Sequence, residues 1–158
     1  MAPMAPMAPL FCAALLLCSA LAAAQTRQTQ EDDYTRYELL GPDRAQFRIL
    51  YEVTATTAGA PYFFNAIRKG SIATDESVVD LMTGQPLKWE IVSGAQARKE
   101  GHPTADLDTE WLKVFLGRPV AKGGEGRVLI DKTYEDPKSY YRDADTIVFD
   151  RSLGIRRN

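Results

Sequence analysis

The sequence predicts an all-β domain, an antiparallel β-sandwich of about seven short strands, preceded by a signal peptide. Three observations carry that expectation. Apolar side chains recur with a period of two, Gly- and Pro-bearing turns separate the runs, and hardly any stretch after residue 24 follows the 3.6-residue helical period.

Residues 1–24, MAPMAPMAPLFCAALLLCSALAAA, hold no charged side chain, an apolar run from Leu10 to Leu21 and small residues at Ala22, Ala23 and Ala24. That layout predicts cleavage before Gln25 and a secreted or periplasmic protein. The run is short for a membrane span of about 20 residues, so no membrane contact beyond the export signal is expected. Cys12 and Cys18 both lie in this segment, which leaves the mature chain without a disulfide. Acylation of Cys18 is the alternative, and Leu17 is larger than the residue expected before a lipidated cysteine. Residues 25–36 are polar and aperiodic and read as a flexible arm, 37–150 as the sandwich, and 151–158 as a linker or a truncated continuation.

In QFRILYEVTAT, Phe47, Ile49, Tyr51 and Val53 fall on one face, the clearest strand signal in the chain. PYFFNAI follows a turn as a second strand. SVVDLM and PLKWEIV, separated by Thr83-Gly84-Gln85, read as a hairpin with a short glycine-bearing loop. The weakly patterned segment from Ser93 to Glu110 reads as a surface loop, with room for one helical turn over residues 95–100. WLKVFL carries large apolar residues on both faces, which predicts a strand covered on both sides or one facing a neighbouring domain. RVLIDKTYE and TIVFD supply the last strands, on either side of the turn-rich EDPKSYYRDAD.

The chain carries 19 basic and 21 acidic residues, interspersed and all after residue 24, for a net charge of −2. Without a basic stripe to track phosphates, nucleic-acid binding loses its electrostatic premise. Asp106, Asp108 and Glu110 alternate in DLDTEW, and on one face of an extended segment they would offer oxygens to a hard cation. No EF-hand loop surrounds them, and the simpler reading is a solvated loop that guards a hydrophobic strand. His102 is the sole histidine; with no mature cysteine it makes no self-contained zinc site, so no metal or other cofactor is expected. Ser71, Ser77, Ser93, Ser139 and Ser152 are possible nucleophiles for a triad with His102, but none stands in a G-x-S-x-G elbow. His102 reads as solvent-exposed. Tyr62-Phe63-Phe64 and Tyr140-Tyr141 each place adjacent rings on opposite faces, one for the core and one free to meet another domain or a ligand. Arg151, Arg156 and Arg157 read as a solvated chain end or as a linker into further sequence.

Tyr51-x-Val53-x-Ala55, the Thr83-Gly84 turn and the stretch VFLGRPVAKGGEGRVLIDKTYED together resemble the amino-terminal β domain of gluzincin aminopeptidases and related exported bacterial proteins. In that family a strand ends in a turn, a glycine-bearing hairpin follows, and a further strand runs into a tyrosine. Arg118-Pro119-Val120, Gly123-Gly124 and Leu129 to Tyr134 occupy those places, and the likeness spans residues 37–150. The resemblance implies an accessory sandwich beside a catalytic domain in a longer, zinc aminopeptidase-like parent. The family's H-E-x-x-H helix is absent from these 158 residues, so no peptidase role passes to any of them.

The expected function is therefore a non-catalytic accessory domain that packs against a following domain of the same chain, with no catalytic, cofactor-binding or metal residue of its own. A stand-alone secreted binding module is the alternative, with Tyr62 to Asn65 or Tyr140 and Tyr141 as its contact surface. A hydrolase built on Asp106, Asp108 and Glu110 with His102 is a third.

Overall fold

A computed structural model describes residues 27–151 of the chain. The expected signal peptide with Cys12 and Cys18, and the tail with Ser152, Arg156 and Arg157, lie outside the described residues. Among the described residues the strands are β1 (Gln30–Leu39), β2 (Gln46–Ala55), β3 (Tyr62–Ala66), β4 (Ile72–Asp80), β5 (Trp89–Ser93), β6 (Glu110–Phe115), β7 (Gly126–Glu135), β8 (Tyr140–Asp143) and β9 (Thr146–Phe149), with one α-helix, α1 (Gly94–Lys99), and a short 3-10 helix (Pro42–Arg44). All pairings are antiparallel. They form a four-stranded sheet in the order β1-β2-β7-β4, a three-stranded sheet β3-β6-β5 and a hairpin β8-β9.

The two larger sheets pack face to face. Period-two alternation turns Phe47, Ile49, Tyr51, Val53 and Ala55 of β2 inward, in register with Tyr134, Lys132, Ile130, Val128 and Gly126 of β7. Val53, Val78, Val128 and Ile130 meet Phe63, Leu112 and Val114 from the opposite sheet in the main core. The strands differ in length: ten residues in β2 and β7 against five in β3 and six in β6. At about 3.3 Å per residue, the larger sheet overhangs the smaller by more than 10 Å. The β8-β9 hairpin covers much of that overhang, where Tyr140 and Phe149 join Tyr37, Phe47 and Tyr134 in a second, aromatic core. Between the two cores the inner face of the long sheet is left open.

The described residues hold nine strands where about seven were expected, because two of them carry little pattern. The expected arm over residues 25–36 is mostly β1, and the domain therefore begins before Tyr37. Most of its side chains face solvent, it bulges between Glu31 and Tyr34, and Asp32 adopts a φ of 50°. A charged, irregular edge of that kind resists pairing with another chain. Strand β8 lies in the stretch read as turns. The expected hairpin of SVVDLM with PLKWEIV closes only at a Val79–Pro86 bridge, after which β5 leaves for the other sheet.

The segment read as a loop contains α1, capped by Ser93, whose Oγ accepts from the Gln96 N–H at 3.2 Å. Its Ala97 packs with Ala105, Val92 and Phe64 on the outer face of β3-β6-β5. Thus β6 is covered on both sides by residues of its own domain: Leu112 and Val114 face the main core, while Trp111 and Lys113 face the α1 layer.

Candidate functional site

The residues singled out for chemistry in the sequence do not converge. Asp106 and Asp108 sit in a turn, where Asp106 Oδ1 accepts the Asp108 N–H at 3.0 Å, and Glu110 opens β6. They do not share one face of an extended segment, and no group of three or more metal-ligating side chains stands together among the described residues. His102 is half-buried, not solvent-exposed as expected: its ring stacks on Phe64 at 5.8 Å and meets Trp111 edge-on at 4.7 Å. Burial holds its pKa below the ordinary value, with Arg27 adding to the effect. Among the described residues no serine hydroxyl bonds to it. Ser93 caps α1, and Ser71 donates to Asp136 at 3.2 Å.

The paired aromatics divide by strand geometry. Phe63 enters the main core and Phe64 the α1 layer, so both are buried; Tyr140 is buried and Tyr141 is exposed. Arg151 is not a solvated end, because its guanidinium lies 5.5, 5.2 and 5.4 Å from the rings of Tyr37, Phe47 and Tyr134.

The concave surface lies elsewhere, between edge strands β1 and β3. Two adjoining cavities, of about 480 and 840 Å³, share Tyr51, Asn65 and Ala66 as walls. The larger runs past the amino-terminal segment to His102. There the side-chain amide of Gln28 donates to the Phe64 carbonyl at 2.9 Å and accepts the Phe64 N–H at 2.8 Å, which satisfies the free edge of β3 as a neighbouring strand would. The smaller cavity occupies the gap between the two cores.

The smaller cavity is built around Lys132, whose side chain follows Val128 and Ile130 along the inward face of β7. The residue is only 4 % exposed. Its ammonium reaches across the sandwich to Asn65 Oδ1 at 2.5 Å and lies 5.0 Å from the Tyr134 ring. Among the described residues no carboxylate stands within 4.0 Å of it. Burial, reinforced by the Arg151 charge, pulls its pKa down to about 8 against a weaker opposing pull from Glu76. Arg68 lines the same wall, its charge set against Asp136 at 3.6 Å.

Tyrosine hydroxyls complete the wall. Tyr37 Oη accepts from Arg151 Nε at 3.3 Å and Tyr134 Oη from the Arg68 N–H at 3.2 Å, so each phenol keeps its own proton to donate. Burial raises the Tyr134 pKa, which keeps that proton in place. Of the residues expected as a binding surface, Asn65 lies in this wall, whereas no motif in the sequence marks Lys132 or Arg151 as site residues. One signal was present, a lysine occupying an inward position of an otherwise apolar alternation, but its meaning depends on which strand lies opposite. No protein-family model matches the chain, and no curated protein matches it.

Proposed function

We propose that this domain is a non-catalytic binding module of an exported protein, and that the groove between β1 and β3 is its contact surface. One observation carries the reading: polar and aromatic side chains line two adjoining cavities along the free sheet edges. The Ser, His and Asp residues that hydrolysis would need stay dispersed. A second reading, an accessory domain that packs against a following one, draws support from exposed Leu39, Leu40, Tyr141 and Ile147 on and beside the β8-β9 hairpin.

The test is an NMR screen of the full-length protein against small fragments that include acidic, basic and neutral members. Ala66 is exposed and borders both cavities, so Ala66→Trp fills the groove without entering the core. Binding at the groove predicts saturable shifts of the Tyr51, Asn65 and Ala66 amides, lost in Ala66→Trp. A screen in which no fragment moves these amides would sink the binding reading and leave the packing surface.

A further inference from the structure

An isolated charge is among the most costly groups to bury, and proteins normally pair it. Lys132 is a buried cation hydrogen-bonded to one neutral amide. A second cation lies close by, since Arg151 approaches the same Tyr134 ring, and its Nη1 is buried with no acceptor among the described residues. Two like charges that share a low-dielectric gap repel each other. None of the residues that line the smaller cavity is acidic. Glu76, in the irregular part of β4, acts on Lys132 from outside that lining and makes no ion pair with it. Asp136, beside Arg68, is engaged by Arg68, Ser71 and the Lys138 N–H.

From this juxtaposition we infer that the cavity beside Lys132 and Arg151 is a binding site for a small organic carboxylate. The inference rests on the binding reading above and names its ligand class. A carboxylate would give Lys132 an ionic acceptor for its remaining donors, give Arg151 Nη1 a partner, and take the free protons of Tyr37 and Tyr134. A monoanion suits two uncompensated cations with Glu76 in the background. Ile49 and the tyrosine rings form apolar and aromatic walls, which suit a ligand with a planar or aliphatic body attached to its charge. At about 480 Å³ the cavity has the size of a small-molecule site.

Benzoate and benzamide are matched in shape and differ in charge, and they provide the test when titrated into the full-length protein with inorganic phosphate as a third probe. The inference expects benzoate to move the Asn65 and Ala66 amides saturably and benzamide not to. Lys132→Met and Arg151→Gln should each weaken benzoate about tenfold or more, while a thermal melt confirms that both variants fold. Displacement of benzoate by phosphate would support an anion site that reads charge before shape. Phosphate binding without benzoate binding would overturn the organic-acid assignment. Equal binding of benzamide, or neutral fragments holding a groove that benzoate ignores, would overturn the anion site and leave the binding module standing; silence from every probe and every fragment would remove both.

Discussion

Two lysines, Lys113 and Lys132, stand on inner strands of the two facing sheets, and each is 4 % exposed. Each also lies against tyrosine: Lys113 Nζ is 4.1 Å from the Tyr62 ring, and Lys132 Nζ is 5.0 Å from that of Tyr134. Their surroundings then diverge. Lys113 points to the outer face of its sheet, where Glu90 from β5 and Glu100 at the end of α1 meet it at 2.9 and 2.5 Å. Burial works against its charge, but the two carboxylates outweigh it and raise its pKa. Lys132 points to the inner face, finds an amide, and its pKa falls to about 8. Burial alone therefore does not mark a functional cation. A buried cation that the fold has furnished with carboxylates is structural, and one that the fold leaves short of an anion is a place where a ligand can supply it.

The sharpest way to break the structural half of this comparison is at Gly94. A Cβ there would stand 1.9 Å from the Asp106 carbonyl oxygen and 2.7 Å from Leu107 Cα, and both are backbone atoms with little room to move. Gly94→Ala should force α1 off the sheet, disturbing the Arg98 Nε–Ala105 carbonyl and Trp111 Nε1–Asp106 carbonyl bonds, at 2.6 and 3.2 Å, and drawing Glu100 away from Lys113. A loss of about 3 kcal/mol is expected by thermal or denaturant unfolding. An unchanged midpoint would show that α1 does not hold the Lys113 pair in place.

The next effect separates the two lysines by sign. Lys132→Met keeps most of the length of the side chain and removes a buried, poorly compensated charge, so stability should rise by about 1 to 4 kcal/mol. Lys113→Met removes the partner of two carboxylates, and because Glu90 and Glu100 are partly exposed the loss should be about 1 to 3 kcal/mol. Denaturant midpoints of both variants decide the matter. Destabilisation by Lys132→Met would mean that its ammonium is already satisfied and would weaken the case for a ligand.

Strands whose side chains alternate between a core and a different surface were legible in the sequence. QFRILYEVTAT carries a full inward set of apolar residues and RVLIDKTYE a set broken only by Lys132, so period two identifies each strand and its face. Strand β1 escaped because backbone hydrogen bonds to β2 hold it while its side chains face water, and Tyr37 alone joins the core. Strand β8 escaped because the bend to β9 uses a positive φ at Ala144, where a glycine or asparagine would have announced a hairpin. The two-faced apolarity of WLKVFL offered either a strand covered on both sides or a surface for a following domain; the structure covers both faces from within, with α1 and the following loop, elements with too few residues to show a period. The site was the least legible part. Lys132 and Asn65 are far apart in sequence and meet only because their strands lie in opposite sheets, and sheet assignment is a property of the whole chain.

The smallest expected effect sharpens the comparison through pH. Lys132 has a depressed pKa in the folded protein, about 8, against about 10.4 in an unfolded chain. Below pH 8 both states hold the proton, and the native state bears the buried charge. Between about 8 and 10.4 the unfolded state still holds the proton and the folded state has released it, so stability rises with pH across that window. Lys113 has the opposite shift: its contribution is complete below its unfolded value and is lost only as pH climbs above about 10.4 toward its raised native value. Tyrosines and other groups also titrate near this range, so the measurement is the difference between wild type and each variant. Relative to Lys132→Met, wild-type stability should climb by about 1.5 kcal/mol between pH 8 and 9.5; relative to Lys113→Met it should stay level. A flat difference for Lys132→Met would mean that its pKa is ordinary and that the gap between the two cores already holds a counter-charge. A saturating carboxylate should flatten it in the same way, since an anion beside the ammonium would hold the proton on to higher pH.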